Sequence, residues 1–216
     1  KTPFDEDEAW ASITSVHDPA YVDAVRTGHP ERLARSQGFR WSPRFANSVA
    51  RIWAGHLAAC RLALTEPMVL HPVSGAHHAN YASGSGFCTF NFLVGGAVEL
   101  LRMGLHRVAI IDLDAHPGDG TYRLSRGKEG IALFDIAGGS WVDVVNTSSV
   151  EYHVARDSGE YDAALGHQAG GDRRRQCCPD RQFEDEEGRN RRKTGQRENR
   201  TDGKVDVPGH DHEDHA

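Results

Sequence analysis

The sequence predicts an α/β fold with a mainly parallel sheet, and three stretches carry that prediction. Val108-Ala109-Ile110-Ile111 is a continuous apolar run, as expected for a parallel strand covered on both faces. A helical pattern from Phe92 to Met103, ended by Gly104, comes just before it. Met68-Val69-Leu70 reads as a short buried strand ahead of that helix. Strand, helix and strand in this order are how parallel sheets are connected.

The remaining elements follow from local chemistry. Ser42-Pro43 is a helix start, with Ser as N-cap and Pro in the first turn. Phe45, Val49, Ile52, Trp53 and Leu57 then recur at helical spacing, so this helix is expected to reach the mid-sixties, where Pro67 breaks it. Residues 71–91 are rich in Gly, Ser, His and Asn and read as a long loop, a length that is often functional. A further strand is expected from about Ile131 to Ile136.

Composition changes sharply along the 216 residues. After Leu165 there is no Leu, Ile, Met, Trp or Tyr; charged runs such as Arg173-Arg174-Arg175 and Glu184-Asp185-Glu186-Glu187 take their place. Such a segment cannot bury enough apolar surface to offset its ordering entropy. Residues 1–165 are therefore expected to be the folded part and 166–216 a charged, disordered tail. The change falls within Tyr161-Asp162-Ala163-Ala164-Leu165, which looks like the start of a helix that never acquires its apolar face. Either the tail is natural, or a reading-frame error has replaced the real continuation; we favour the second, which an intact frame in the encoding DNA would refute. The closing His210, His212 and His215 read as part of a solvated tail.

A formal charge of −6 gives no electrostatic reason to expect nucleic acid or an anionic membrane as partner. No apolar run is long enough to span a bilayer, and no secretory leader is visible, although the chain starts at Lys1. Cys60, Cys88, Cys177 and Cys178 lack a disulfide-scaffold or zinc-ribbon spacing, so a reduced, cytoplasmic setting is expected. Oligomeric state is open.

Asp112-Leu113-Asp114-Ala115-His116-Pro117-Gly118-Asp119-Gly120 follows the apolar strand directly. It is placed at the carboxyl end of a parallel strand, where open α/β sheets put their ligand sites. Residues two apart in an extended backbone share a face, so Asp114 and His116 can offer one oxygen and one nitrogen to a divalent metal. Zn²⁺ accepts that mixture, and catalytic zinc usually has three protein ligands, so a third must come from elsewhere. The alternative is a strand-to-loop junction whose carboxylates cap a following segment or face water.

His77-His78 lies in the loop, ahead of Gly84-Ser85-Gly86-Phe87-Cys88. Imidazoles titrate near neutrality, so they can take a proton from water and return one to a leaving amine. A neighbouring carboxylate raises their basicity, and Asp112 and Asp119 are available for two such dyads. The alternative is a pair of surface histidines without a role. The Gly84 to Gly86 stretch lacks the Lys and the strand-then-helix context of a phosphate cradle.

Taken together, Gly75-Ala76-His77-His78-Ala79, Gly86-Phe87-Cys88-Thr89-Phe90-Asn91 and the motif from Asp112 to Thr121 resemble the histone deacetylase family, which includes acetylpolyamine amidohydrolases and acetoin-utilisation proteins. Val16-His17-Asp18-Pro19-Ala20-Tyr21-Val22 is similar to that family's early helix. The resemblance runs from about residue 10 to residue 165. It implies a three-layer arginase-like or deacetylase-like fold whose C-terminal part is missing here, and hydrolysis of an N-acetyl amide of the acetyl-lysine or acetylpolyamine class. By motif match, Asp114 and His116 would bind zinc, and His77 and His78 would be the acid/base pair, with Asp112 directed to His77 and Asp119 to His78. Phe87 would line the tunnel for the acylated amine, and a structural monovalent cation would sit near Asp112. Two of the family's groups have no match: its third zinc ligand, an Asp in a Gly-Phe-Asp context, and its oxyanion-stabilising Tyr. Pro117 stands where many members have a second histidine. Two other functions are weighed beside this one: a binuclear-manganese ureohydrolase of the arginase type, and an inactive fragment or binding protein of the same fold.

Overall fold

The computed structural model describes residues 4–139 and 145–169. The expected charged tail lies outside the described residues from position 170 on, together with Cys177, Cys178 and the three closing histidines.

Four helices come first: α1 (Glu6–Thr14), α2 (Pro19–Thr27), α3 (Glu31–Ala34) and α4 (Pro43–Leu62). Each of the three longer ones starts on a side-chain cap that satisfies a backbone donor of its first turn. Asp5 accepts from Glu8 N, Asp18 from Ala20 N, and Ser42 from Phe45 N, with Pro19 and Pro43 in the first turn. The Ser42-Pro43 start is the one read from sequence. Trp53 and Leu57 are buried as expected, while Phe45, Val49 and Ile52 pack against the core from half-buried positions. Ala46 and Ala50 turn fully inward, which lets α4 approach its neighbours closely.

After the long segment 63–91 comes α5 (Phe92–Arg102), capped by Asn91 Oδ1 on Val94 N. It packs on α4 at close range: a Cβ on Gly95 would stand 2.4 Å from the Trp53 ring. Gly95 is therefore a contact point, and any side chain there would push the indole out of the core.

The sheet then builds in chain order: β1 (Val108–Asp112), α6 (Asp119–Ser125), β2 (Ile131–Ala137), β3 (Val150–Val154) and α7 (Ser158–Ala169). Both pairings are parallel, with Ile110 opposite Leu133 and Asp112 opposite Asp135 in the first, and Leu133 opposite Val150 in the second. The predicted strand at 131–136 is thus β2, longer by one residue.

Three expectations are corrected. Met68-Val69-Leu70 is not a strand: Met68 and Leu70 are exposed, and no backbone among the described residues pairs with them. A strand is stabilised by its partner's hydrogen bonds, which three apolar residues cannot supply alone. β1 is parallel but is not covered on both faces. Ile110 is buried towards α5 whereas Ile111, on the opposite face, is 63% exposed. Last, α7 does acquire an apolar face. Tyr161, Ala164 and Leu165 recur at helical spacing and pack with Phe134, Ile136 and Ala155. Helices on one face and α7 on the other make the three-layer α/β arrangement predicted.

Candidate active site at the end of the first strand

The site is assembled where β1 stops. Asp112, the last residue of the strand, is 8% exposed, and its Oδ1 accepts from Asp114 N at 3.1 Å. Its Oδ2 stands 2.9 Å from Nδ1 of His77, which is equally enclosed. Asp119 opens α6, and its Oδ1 lies 2.7 Å from Nδ1 of His78. The second oxygen of Asp119 accepts from Arg123 one helical turn on. Two histidine–aspartate dyads therefore stand side by side, their imidazole centroids 4.1 Å apart.

Small residues make this juxtaposition possible. A Cβ on Gly120 would lie 2.3 Å from Ala79 O, so α6 meets the histidine loop backbone to backbone. Thr121 N donates to His77 O at 2.9 Å across that contact. A Cβ on Gly118 would lie 2.6 Å from Asp112 Oδ2. Phe87 sits at the rim, 65% exposed, with φ of 63° and its N–H donating to Gln37 O. A non-glycine residue at positive φ stores backbone strain, which the flanking contacts must hold in place.

Burial pulls the His77 imidazole towards its neutral form. The hydrogen bond and charge of Asp112, with the charges of Asp114 and Asp135, outweigh that and leave its pKa above the ordinary value. Nδ1 of such an imidazole donates to the carboxylate, and Nε2 is the atom left for proton transfer.

Asp114 and His116 leave the strand end two positions apart, both more than half exposed. Asp114 Oδ1 accepts from His116 N at 2.8 Å and faces His116 Nδ1 at 3.1 Å. The backbone hydrogen bond from His116 is the main reason the Asp114 carboxyl lies below its usual range. Two ligands of one tetrahedral zinc at the usual bond lengths of ~2.0–2.1 Å would be ~3.3 Å apart. This oxygen–nitrogen pair therefore fits two corners of such a shell. Among the described residues, no group of three or more His, Cys, Asp or Glu is disposed to hold a metal ion. The ring of His116 comes within 6.2 Å of that of His78, centroid to centroid, so the candidate ligands and the histidine pair share one region.

Residues given no role from sequence also support the site. Asp135, opposite Asp112 in the register of β1 and β2, is 2% exposed. Its Oδ2 accepts from Gly118 N at 2.8 Å, and its Oδ1 has no hydrogen-bond partner among the described residues. Burial, reinforced by the charge of Asp112, pushes its pKa up to about 6. The signal was an acid in the middle of an otherwise apolar strand. His17, fully buried, donates from Nδ1 to Asn80 O at 2.9 Å and accepts at Nε2 from Asn91 N at 3.0 Å. Asn91 Nδ2 in turn donates to Thr121 Oγ1 at 2.9 Å. Arg123 Nη1 bridges Asn80 Oδ1 and Asp119. This network fixes the segment carrying His77 and His78 to α5 and α6.

An α/β protein with paired histidine–aspartate dyads and an Asp-x-His pair at the end of a parallel strand defines a narrow class. The sequence pattern of the histone deacetylase domain matches residues 5–138, and the chain belongs to the histone deacetylase family. It is 35% identical over 117 residues to an uncharacterised protein of Picosynechococcus sp., covering 53% of this chain and 38% of that one. It is 31% identical over 124 residues to histone deacetylase 6 of Arabidopsis thaliana, covering 51% of this chain and 26% of that one. The chain thus spans well under half the length of these relatives. A crystal structure of acetylpolyamine aminohydrolase from Burkholderia pseudomallei superposes with a TM-score of 0.60 at 18% identity, over 74% of this chain and 61% of that one. That likeness bears on the fold.

Proposed function

We propose that this chain carries the proton-transfer part and two metal ligands of a zinc-dependent deacetylase that hydrolyses N-acyl amides. The observation that carries the reading is the pair of buttressed histidines, His77 on Asp112 and His78 on Asp119, beside the Asp114–His116 pair. Asp114 and His116 would supply two of the metal's ligands; the family's third, an Asp in a Gly-Phe-Asp context, has no match in this sequence. When bound, zinc would polarise the amide carbonyl and lower the pKa of a water. Asp112 holds Nδ1 of His77 as donor, so Nε2 is the atom that can accept a proton from an attacking water. His78, held in the same way by Asp119, is placed to return a proton to the leaving amine nitrogen. Arg123 shares Asp119, which restrains how far that carboxylate can follow the proton. Asp135 Oδ1, buried beside Asp112 and without a partner among the described residues, supports the expected monovalent cation at that position.

The family match to the deacetylase domain favours this over a binuclear-manganese ureohydrolase. A second reading, a chain with little activity of its own, is favoured by the two-donor metal pair. Both are tested by measuring zinc binding and hydrolysis of acetyl-lysine and acetylpolyamine substrates on the same preparation. Weak zinc binding that His116→Ala abolishes, with turnover far below the ~1–10³ s⁻¹ of intact enzymes, is the expected result. Undiminished zinc binding in His116→Ala would show that the ligand is misassigned, and activity on arginine analogues would favour the ureohydrolase.

A further inference from the structure

The stretch from Glu31 to Arg51 carries five arginines and one acid, Glu31, in a chain whose formal charge is −6. Part of that positive charge is already engaged. Arg35 pairs with Glu31 at 2.6 Å, and Arg51 donates to Asn47 and lies over the Phe4 ring. Arg40 and Arg44 are exposed and form no ion pair among the described residues. Arg44 also stands in the first turn of α4, at the positive end of the helix dipole, where a cation costs the helix stability. Folding accounts for neither residue.

Local packing puts both arginines beside the rim of the site. A Cβ on Gly86 would stand 2.3 Å from the His78 ring, so Phe87, the next residue, adjoins the histidine pair. Phe87 N donates to Gln37 O at 3.0 Å, and a Cβ on Gly38 would lie 3.4 Å from the Phe87 ring. Phe39 follows, 41% exposed, its ring 5.3 Å from that of Phe87 and 5.9 Å from that of Phe45, centroid to centroid. Arg40 is the residue after Phe39, and Arg44 the residue before Phe45. Inside the rim the carboxylates are engaged, Asp112 by His77, Asp119 by His78 and Asp114 by His116. An acyl-lysine chain that enters past the rings leaves its peptide backbone outside them, where the rim cations reach the flanking residues. We propose that Arg40 and Arg44 select the amine side of the substrate, an acylated lysine in an acidic peptide whose flanking Asp or Glu carboxylates meet the two guanidiniums. A guanidinium suits that task, because its fork of N–H groups matches a carboxylate. A polyamine, with further ammonium groups, is repelled at the same rim. The proposal rests on the amide-hydrolase reading and specifies its substrate class.

The test uses the whole chain, labelled with ¹⁵N at histidine and without metal. An acetyl-lysine peptide flanked by glutamates, the same peptide flanked by lysines, and acetylspermidine are titrated in turn at low salt, and binding at the site is read from the His78 imidazole signals. The glutamate-flanked peptide is expected to bind about fivefold or more tightly than the other two, as two exposed charge pairs allow. Raising the salt to about 0.5 M should erase most of that preference. The double variant Arg40→Gln, Arg44→Gln, at exposed positions where folding is not at stake, should bring the two peptides within about twofold of each other. Arg107→Gln with Lys128→Gln removes as much charge ahead of the amino ends of β1 and β2, away from the site, and should leave the preference intact. Equal affinities, tighter binding of the lysine-flanked peptide or of acetylspermidine, no His78 shift with any probe, or a preference that both double variants keep would overturn the rim assignment. Those results would leave the hydrolase reading standing. That reading fails separately, if zinc-supplied protein cleaves no acetyl amide while the charge preference persists.

Discussion

The imidazoles of His77 and His78 stand 4.1 Å apart, centroid to centroid, yet each leans on a different carboxylate. Adjacent residues in a regular strand would point to opposite faces. The loop abandons that alternation, and the backbone contact of Thr121 N with His77 O holds both rings on one side.

The first prediction concerns the His77–Asp112 dyad. His77 has its pKa raised in the folded state because its carboxylate neighbours outweigh burial. Its contribution to stability is therefore present below the unfolded value of about 6.5 and is lost as pH rises through the folded value. In Asp112→Asn the nearest charge goes and at most a neutral acceptor remains, while burial persists, so the His77 pKa should fall below the ordinary value. NMR titration of the imidazole measures this directly. An unchanged pKa in the variant would mean that Asp112 does not govern His77.

The second prediction concerns the contact that brings α6 to the histidine loop. Ala at Gly120 would place its Cβ 2.3 Å from Ala79 O, a backbone atom that cannot swing aside. Gly120→Ala should cost about 1–3 kcal/mol by urea denaturation. Its specific mark should be a weakened His78–Asp119 pair, seen as a change in the ¹⁵N chemical shifts of the His78 imidazole. Loss of stability with an unaltered His78 would make Gly120 a packing residue only.

The third prediction is a cation effect at Asp135. Its Oδ1, unpartnered among the described residues, lies in the same buried region as Asp112, and two acids there disfavour joint ionisation. Potassium should raise the urea midpoint at pH 7.5 relative to tetramethylammonium at equal ionic strength. Asp135→Asn should remove most of that difference. A salt response equal for the two cations, or retained in the variant, would refute a specific monovalent site.

Where the sequence could be read and where it could not follows from how local each signal is. The start of α4 depends on Ser42 and Pro43 alone, and the parallel pairing of β1 with β2 follows from apolar runs on either side of a connecting segment. The caps of α1 and α2, Asp5 and Asp18-Pro19, carry equally local information. Met68-Val69-Leu70 and the outer face of Ile111 depart from expectation because burial depends on which neighbour is present, and that is not written in three or four residues. The dyads themselves could be assigned only through resemblance to a family, since Asp112 and His77 are 35 positions apart. Asp135 was a charge inside a strand, whose meaning appears only when the register puts it opposite Asp112.

The last prediction sets buried histidines against a buried acid. Burial lowers His17 and His56 to about 4 each, so the folded chain binds fewer protons there than the unfolded chain between pH 4 and 6.5. Their contribution to stability rises with pH across that window and is lost on acidification. Asp135 works in the opposite sense. With its pKa raised from 3.8 to about 6, the folded chain binds more protons there, and stability falls as pH rises through the same range. A shift of that size corresponds to roughly 3 kcal/mol lost by pH 7 when no cation compensates. Asp135→Asn removes the opposing group and keeps an oxygen for the Gly118 N–H. In cation-free buffer it should be more stable than the parent at pH 7, and its stability should climb more steeply from pH 4 to 6.5. Urea midpoints at half-unit steps for the two proteins decide it: parallel pH profiles would mean that Asp135 is not held protonated by its surroundings.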